Sequence, residues 1–234
     1  MVIDSSGIAA SAVYDGYLLP HSMQYSDIGG DAIGRCLAPA LERAGCVFAN
    51  PIEKMDCISD RVKAMAVVPL KKGHACSDTT LPATRCFEVR RGLNDGPTQV
   101  RVTAAERLAC GEALFDPSVL GADCPLVGDG LANTIFQSIS ATDMDTCSRE
   151  MWKTIVACGE FSTLTNLDER LAHEVQVLAK AAAAPFSKPT VLRHKRPALY
   201  GAQILASLST FASMWISAAE YEERGPSIVG VKCL

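Results

Sequence analysis

The first seven residues, Met-Val-Ile-Asp-Ser-Ser-Gly, combine residue types that suit phosphate chemistry. Val2 and Ile3 read as a short apolar strand, with an acid, two serines and a glycine forming the turn behind it. Such a turn points backbone N–H groups at an anion, while the acid holds the water shell of a cation. Asp4, Ser5 and Gly7 are therefore the first candidate site residues. His74 and Cys76 form the one close His/Cys pair, and two ligands do not make a zinc site. The ten cysteines contain no CxxC pair, so buried free thiols are expected rather than a metal cluster or a disulfide framework.

The elements around the turn are next. At 234 residues, 48% hydrophobic and 21% charged, the chain can bury a large core as one domain or two lobes. A net charge of −4 gives no basic footprint for nucleic acid. Arg193-His194-Lys195-Arg196 is a local basic cluster, expected as a solvated loop. No apolar run reaches the roughly 18 residues that span a bilayer, and the N-terminus lacks the pattern of a signal peptide. A cytoplasmic address, with neither nucleic acid nor membrane as partner, is the expectation.

Residues 2–13 read as a β-hairpin, followed by exposed aromatics in Tyr-Asp-Gly-Tyr-Leu-Leu-Pro. Ile33, Leu37 and Leu41 predict a helix over 31–44 that kinks or starts at Pro39 and stops at Gly45. A helix over 52–67, strand-and-turn material over 71–102 and an apolar segment with an Asp-Pro-Ser turn follow. Short helices are expected at 131–141 and 144–152, a buried strand at Thr154–Cys158, and an amphipathic helix at 168–183. In the tail, Ile204, Leu205, Leu208, Phe211, Met214 and Trp215 recur at helical spacing, predicting one helix from about Ala202 to Ala218.

The residues of that tail carry more than a packing pattern. "ILASLSTF", "MWIS", "EY" and "GPSIV..KC" resemble the C-terminus of actins. "YDGYLLPHS" is similar to the family's Tyr-Glu-Gly-Tyr-Ala-Leu-Pro-His, and "ERLACGEALFDPSVLG" and "LERAGCVF" resemble further family segments. The resemblance covers residues 2–234 against the C-terminal three-fifths of the family. It implies an α/β, actin-like ATPase (ribonuclease H-like) fold: one major lobe with an inserted subdomain, the first lobe largely missing. Subdomain 3 would be residues 1–30 and 122–196, subdomain 4 the insertion 31–121, and 197–234 a helical remnant of subdomain 1.

The resemblance also implies a site. The family's second phosphate hairpin reads Asp-Ser-Gly-Asp-Gly-Val-Thr-His, of which Asp4, Ser5 and Gly7 carry over. Ser6 replaces a glycine, and Ala9 or Ala10 stands where the family has a histidine near the attacking water. Around the base, Lys63, Gly159 and Lys195 match. In the family's partner cleft, Gly16, Tyr17, Ile204, Leu205, Leu208 and Met214 match. The expectation is a divergent, truncated actin-like protein working through protein contacts in a cytoskeletal or complex-bound role. Its partners would be actin-binding or complex-subunit proteins on the Ile204–Met214 face. No cofactor is expected for the chain alone, and ATP with Mg if the site is completed. The alternative is an ATP-binding and hydrolysing actin whose N-terminal part lies outside this sequence or on another chain.

Overall fold

The computed structural model describes residues 1–45, 66–70, 84–89, 98–121, 124–142, 151–182, 188–194 and 196–232. They form two units, Met1–Lys195 and Arg196–Leu234.

The first unit is organised by a five-stranded sheet. Its strands are β1 (Val2–Ile3), β2 (Ile8–Ala10), β5 (Gln24–Ser26), β8 (Thr154–Cys158) and β9 (Thr190–His194), in the order β5-β2-β1-β8-β9. β1, β2 and β5 pair antiparallel, whereas β8 and β9 run parallel to β1. The parallel half needs crossover connections, and a helix supplies one of them. That helix, Leu167–Ala181, puts Leu167, Leu171, Val175 and Ala179 into the core.

Between β2 and β5, β3 (Val13–Tyr14) and β4 (Tyr17–Leu18) make a two-residue hairpin. Asp15 and Gly16 both have positive φ, 49° and 83°, the geometry in which a type I′ turn matches strand twist. The aromatics beside this turn are exposed, as expected: Tyr17 to 75% and Tyr14 to 42%.

Helix α1 (Gly30–Arg43) buries Ile33, Leu37 and Leu41. It starts nine residues before Pro39 and runs through it, which rules out the second of the two expectations, a start at the proline. The apolar stripe outweighs one lost amide donor. The chain leaves α1 through Gly45 at φ 71°. Residues 46–65 lie outside the described residues, and with them most of the helix expected over 52–67. Its last residues are extended instead, Val67 bridging to Thr165.

β6 (Thr84–Val89) and β7 (Thr98–Thr103) form an antiparallel pair ending in α2 (Ala104–Glu112). The sequence reading gave only an apolar segment there. Thr103 and Glu106 cap the helix reciprocally: the Glu106 amide donates to Thr103 Oγ1 and the Thr103 amide to Glu106 Oε2. α3 (Leu131–Ser140) follows as expected, while residues 143–150 lie outside the described residues. The helix Leu167–Ala181 is α4.

Two surface expectations need correction. Among the described cysteines, all free, only Cys110 is buried; Cys86 is exposed. β6 alternates its side chains, and Phe87 takes the buried face. Arg193 and His194 belong to β9 rather than to a loop. Arg193 donates to the Leu164 carbonyl at 3.1 Å and lies 3.6 Å from Asp168.

In the second unit the expected single helix is broken. α5 (Pro197–Ser207) ends at Leu208, whose ψ is 137°; a 3-10 turn covers Phe211–Met214, and α6 spans Ala218–Arg224. Ser207 and Ser213 donate to the carbonyls of Ile204 and Thr210, each at 2.7 Å. Such local bonds compete with helix propagation. Among the described residues no single helix is long and apolar enough to cross a membrane.

Candidate functional site

In open α/β sheets, ligands bind outside the carboxyl ends of parallel strands. Here Val2 pairs with Cys158 and Cys158 with His194, so three adjacent parallel strands end at one level. Asp4 follows β1, Gly159 follows β8, and Lys195 follows β9 in sequence. Lys195 and Lys63 themselves lie outside the described residues.

The Asp4–Gly7 turn closes on itself, the Asp4 N–H donating to the Gly7 carbonyl at 3.0 Å. The turn's outward carbonyls meet the start of α1. Gly30 N–H donates to Asp4 O at 3.0 Å and Asp31 N–H to Ser5 O at 2.9 Å. Two of the helix's N-terminal donors are thus consumed by the turn. Among the described residues, the amides of Ser5, Ser6 and Gly7 donate to no protein acceptor, so they remain available to an anion.

Two glycines make this approach possible. A Cβ at Gly29 would lie 2.5 Å from both the Asp4 carbonyl and the Gly7 nitrogen. One at Gly159, where φ is 94°, would lie 2.5 Å from the Ile3 carbonyl and 2.8 Å from Asp4 Oδ1. The next residue, Glu160, points its amide at Asp4 Oδ1 from 3.5 Å. Asp4, Ser5, Gly7 and Gly159 are therefore neighbours.

The sequence reading missed Gly29, Gly30 and Asp31, although paired glycines before an amphipathic helix were a visible signal of close backbone approach. Burial pushes the Asp31 carboxyl above its ordinary value, and the Arg35 charge partly offsets this.

For phosphate and a divalent ion the fit is partial. One turn of free amides and one exposed carboxylate suit a phosphate and a hydrated cation. Among the described residues no three His, Cys, Asp or Glu side chains converge to bind a metal directly.

The residues matched to the partner cleft are all surface groups. Tyr17 stands beside Gly16 in the β3–β4 turn. In the second unit Ile204, Leu205, Leu208 and Met214 are 48%, 47%, 46% and 53% exposed. Trp215 meets Phe211 edge to face, with ring centroids 5.4 Å apart.

The comparisons agree with this architecture. The actin family model matches residues 92–234. An actin-like protein of Neurospora crassa is 31% identical over 238 residues, an alignment covering 99% of this chain. The chain belongs to the actin family, and its mixed sheet with parallel strands has the fold of actin-like ATPases. It spans 59% of the length of that relative.

Proposed function

We propose that this chain acts through protein contacts, in a cytoskeletal and cytoplasmic setting, with a reduced nucleotide site. The observation that carries the proposal is the apolar surface of the second unit. Ile204, Leu205, Leu208 and Met214 stay about half exposed on α5 and the turn after it, alongside Trp215 at 60%. Contiguous exposed apolar surface marks interaction sites. An amphipathic helix of an actin-binding or complex-subunit protein fits such a face. In this reading residues 1–30 and 122–196 are subdomain 3, residues 31–121 subdomain 4 and 197–234 part of subdomain 1. By the resemblance, Gly16 and Tyr17 of the first unit would also take part in partner contacts.

On the nucleotide side, Asp4, Ser5 and Gly7 would meet the phosphate end of ATP, and Lys63 and Lys195 its base; Gly159, expected beside the base, packs against Asp4 and would belong to the phosphate end. Bound Mg would neutralise phosphate charge there. Asp4 would orient its water shell, and the turn amides would hold phosphate oxygens. This is the weaker half of the proposal, since Ser6 adds a Cβ in the turn that faces phosphate.

The test is titration with a labelled amphipathic helical peptide carrying apolar residues at i, i+3, i+4 and i+7. Binding should weaken at least tenfold on Leu208→Asp. Equal binding by the variant would remove the basis of the proposal.

A further inference from the structure

The Asp4–Gly7 turn attracts an anion through its backbone, while the residues around it carry the opposite message. The amides of Ser5, Ser6 and Gly7 are three donors, enough for the oxygens of one phosphate group.

Four acidic residues from four places in the chain surround those donors. Asp4 opens the turn. Asp27 follows β5, and a Cβ built on Gly7 would lie 3.4 Å from the Asp27 Cα. Asp31, in the first turn of α1, donates its amide to the Ser5 carbonyl at 2.9 Å. Glu160 begins the 3-10 turn Glu160–Thr163 and directs its amide at Asp4 Oδ1 from 3.5 Å. Asp4, Asp27 and Glu160 are exposed, and Asp31 is half-buried.

The nearby cations balance this only in part. Arg35, one turn further along α1, offsets some of the Asp31 charge. Arg193, at the end of β9, lies 3.6 Å from Asp168. An acid in the first turn of a long helix stabilises that helix through its dipole. This accounts for Asp31 within α1, but a four-residue 3-10 turn gives Glu160 little of the same benefit.

We infer that Asp31 and Glu160 select the charge of the ligand, so that the turn takes a nucleoside monophosphate in preference to a triphosphate. The inference rests on the nucleotide half of the reading above and names the class of nucleotide that this site favours. The first phosphate meets the three turn amides. A second and a third find no further amide in the turn, and each adds negative charge among the carboxylates. Repulsion therefore grows with the number of phosphates, while the attraction stays fixed. Salt screens the repulsion between exposed charges, and a bound divalent cation relieves part of it. Low salt without Mg shows the selection most clearly.

The full chain, labelled with nitrogen-15, is titrated under those conditions with AMP, ADP and ATP, following the amides of Ser5, Ser6 and Gly7. All three amides should shift with AMP, and binding should weaken from AMP to ADP to ATP, by about tenfold over the series. In the double variant Asp31→Asn, Glu160→Gln the series should flatten, with ATP gaining about tenfold relative to AMP. If the double variant does not fold, Glu160→Gln alone decides, with a smaller gain in the same direction. ATP binding the wild type as tightly as AMP, or a variant that keeps the wild-type series, overturns the inference and leaves the nucleotide reading in place. No shift of the three amides with any ligand, in wild type or variant, overturns that reading itself and the inference with it.

Discussion

Arg170 and Glu112 are joined by two parallel hydrogen bonds of 3.0 Å each, the guanidinium fork matched to the carboxylate. Arg170 is only 1% exposed, and also donates to Glu174 at 2.8 Å and to the Pro69 carbonyl at 2.7 Å. Its guanidinium lies 4.9 Å from the centre of the Phe115 ring. One side chain thus ties α4 to α2 and to residues 66–70. Arg170→Ala should cost about 3–5 kcal/mol, because it strands a carboxylate that had been paired. Glu112→Gln should cost less, since Glu174 still faces the arginine. Urea melts of the two variants measure this, and the reverse order would show that the pair is not the hub.

Mg-ATP should bind this chain more weakly than about 1 µM. Hydrogen bonds to charged groups contribute about 1.5–3 kcal/mol each, so three turn amides supply about 5–9 kcal/mol. Association costs an estimated 4–15 kcal/mol, while a 1 µM complex needs a net gain of about 8 kcal/mol. Calorimetric titration reads the constant directly. A sub-micromolar value would mean that groups beyond the turn complete the site.

The second unit should loosen in acid. The Lys232 ammonium and the Ser217 amide and hydroxyl pull the Glu220 carboxyl from 4.5 down to about 2. A depressed folded-state value contributes stability that is full above the ordinary value and is lost as protons are taken up below it. The window is therefore pH 4.5 down to about 2. Circular dichroism of Glu220→Gln should show less helix at pH 6 and little further loss over that window. A wild-type signal that is flat from pH 5 to pH 2 would contradict the assignment.

Leu205→Asp combined with Leu208→Asp should raise solubility and reduce self-association, with a stability change within about 0.5 kcal/mol, as for other surface substitutions. Burying such a side chain contributes about 1.5–3 kcal/mol. A loss of that size in the double variant would show the face to be covered within the folded chain. Light scattering and thermal melts separate the two outcomes.

Regular periodicity made much of this fold legible. Ile33, Leu37 and Leu41 announced α1, Leu171 and Val175 announced α4, and the apolar run Thr154–Cys158 announced β8, although that strand is buried on one face only and Val156 is 43% exposed. The tail defeated the same reasoning, because apolar spacing continued where the backbone did not. Ser207 and Ser213 supplied the competing hydrogen bonds that periodicity does not weigh. The restart was readable: Ser217-Ala-Ala-Glu220 is a capping box, as is Thr103-Ala-Ala-Glu106 before α2. At the candidate site, Asp4, Ser5 and Gly7 stood out as a contiguous turn. Their convergence with Gly29 and Gly159 depends on sheet pairing across most of the first unit, which no local pattern encodes.

The pairing of Val2 with Cys158 also sets a schedule. On a ribosome adding about 5–20 residues per second, β1 waits roughly 8–30 s for its parallel neighbour to be made. Through that interval β1, β2 and β5 form at most a three-stranded antiparallel piece with one open apolar edge. Sheets closed by contacts this distant in sequence fold slowly. An open edge of this kind is what invites wrong pairing with other chains. The yield of this chain should therefore respond to the rate of translation as much as to the stability of the finished fold.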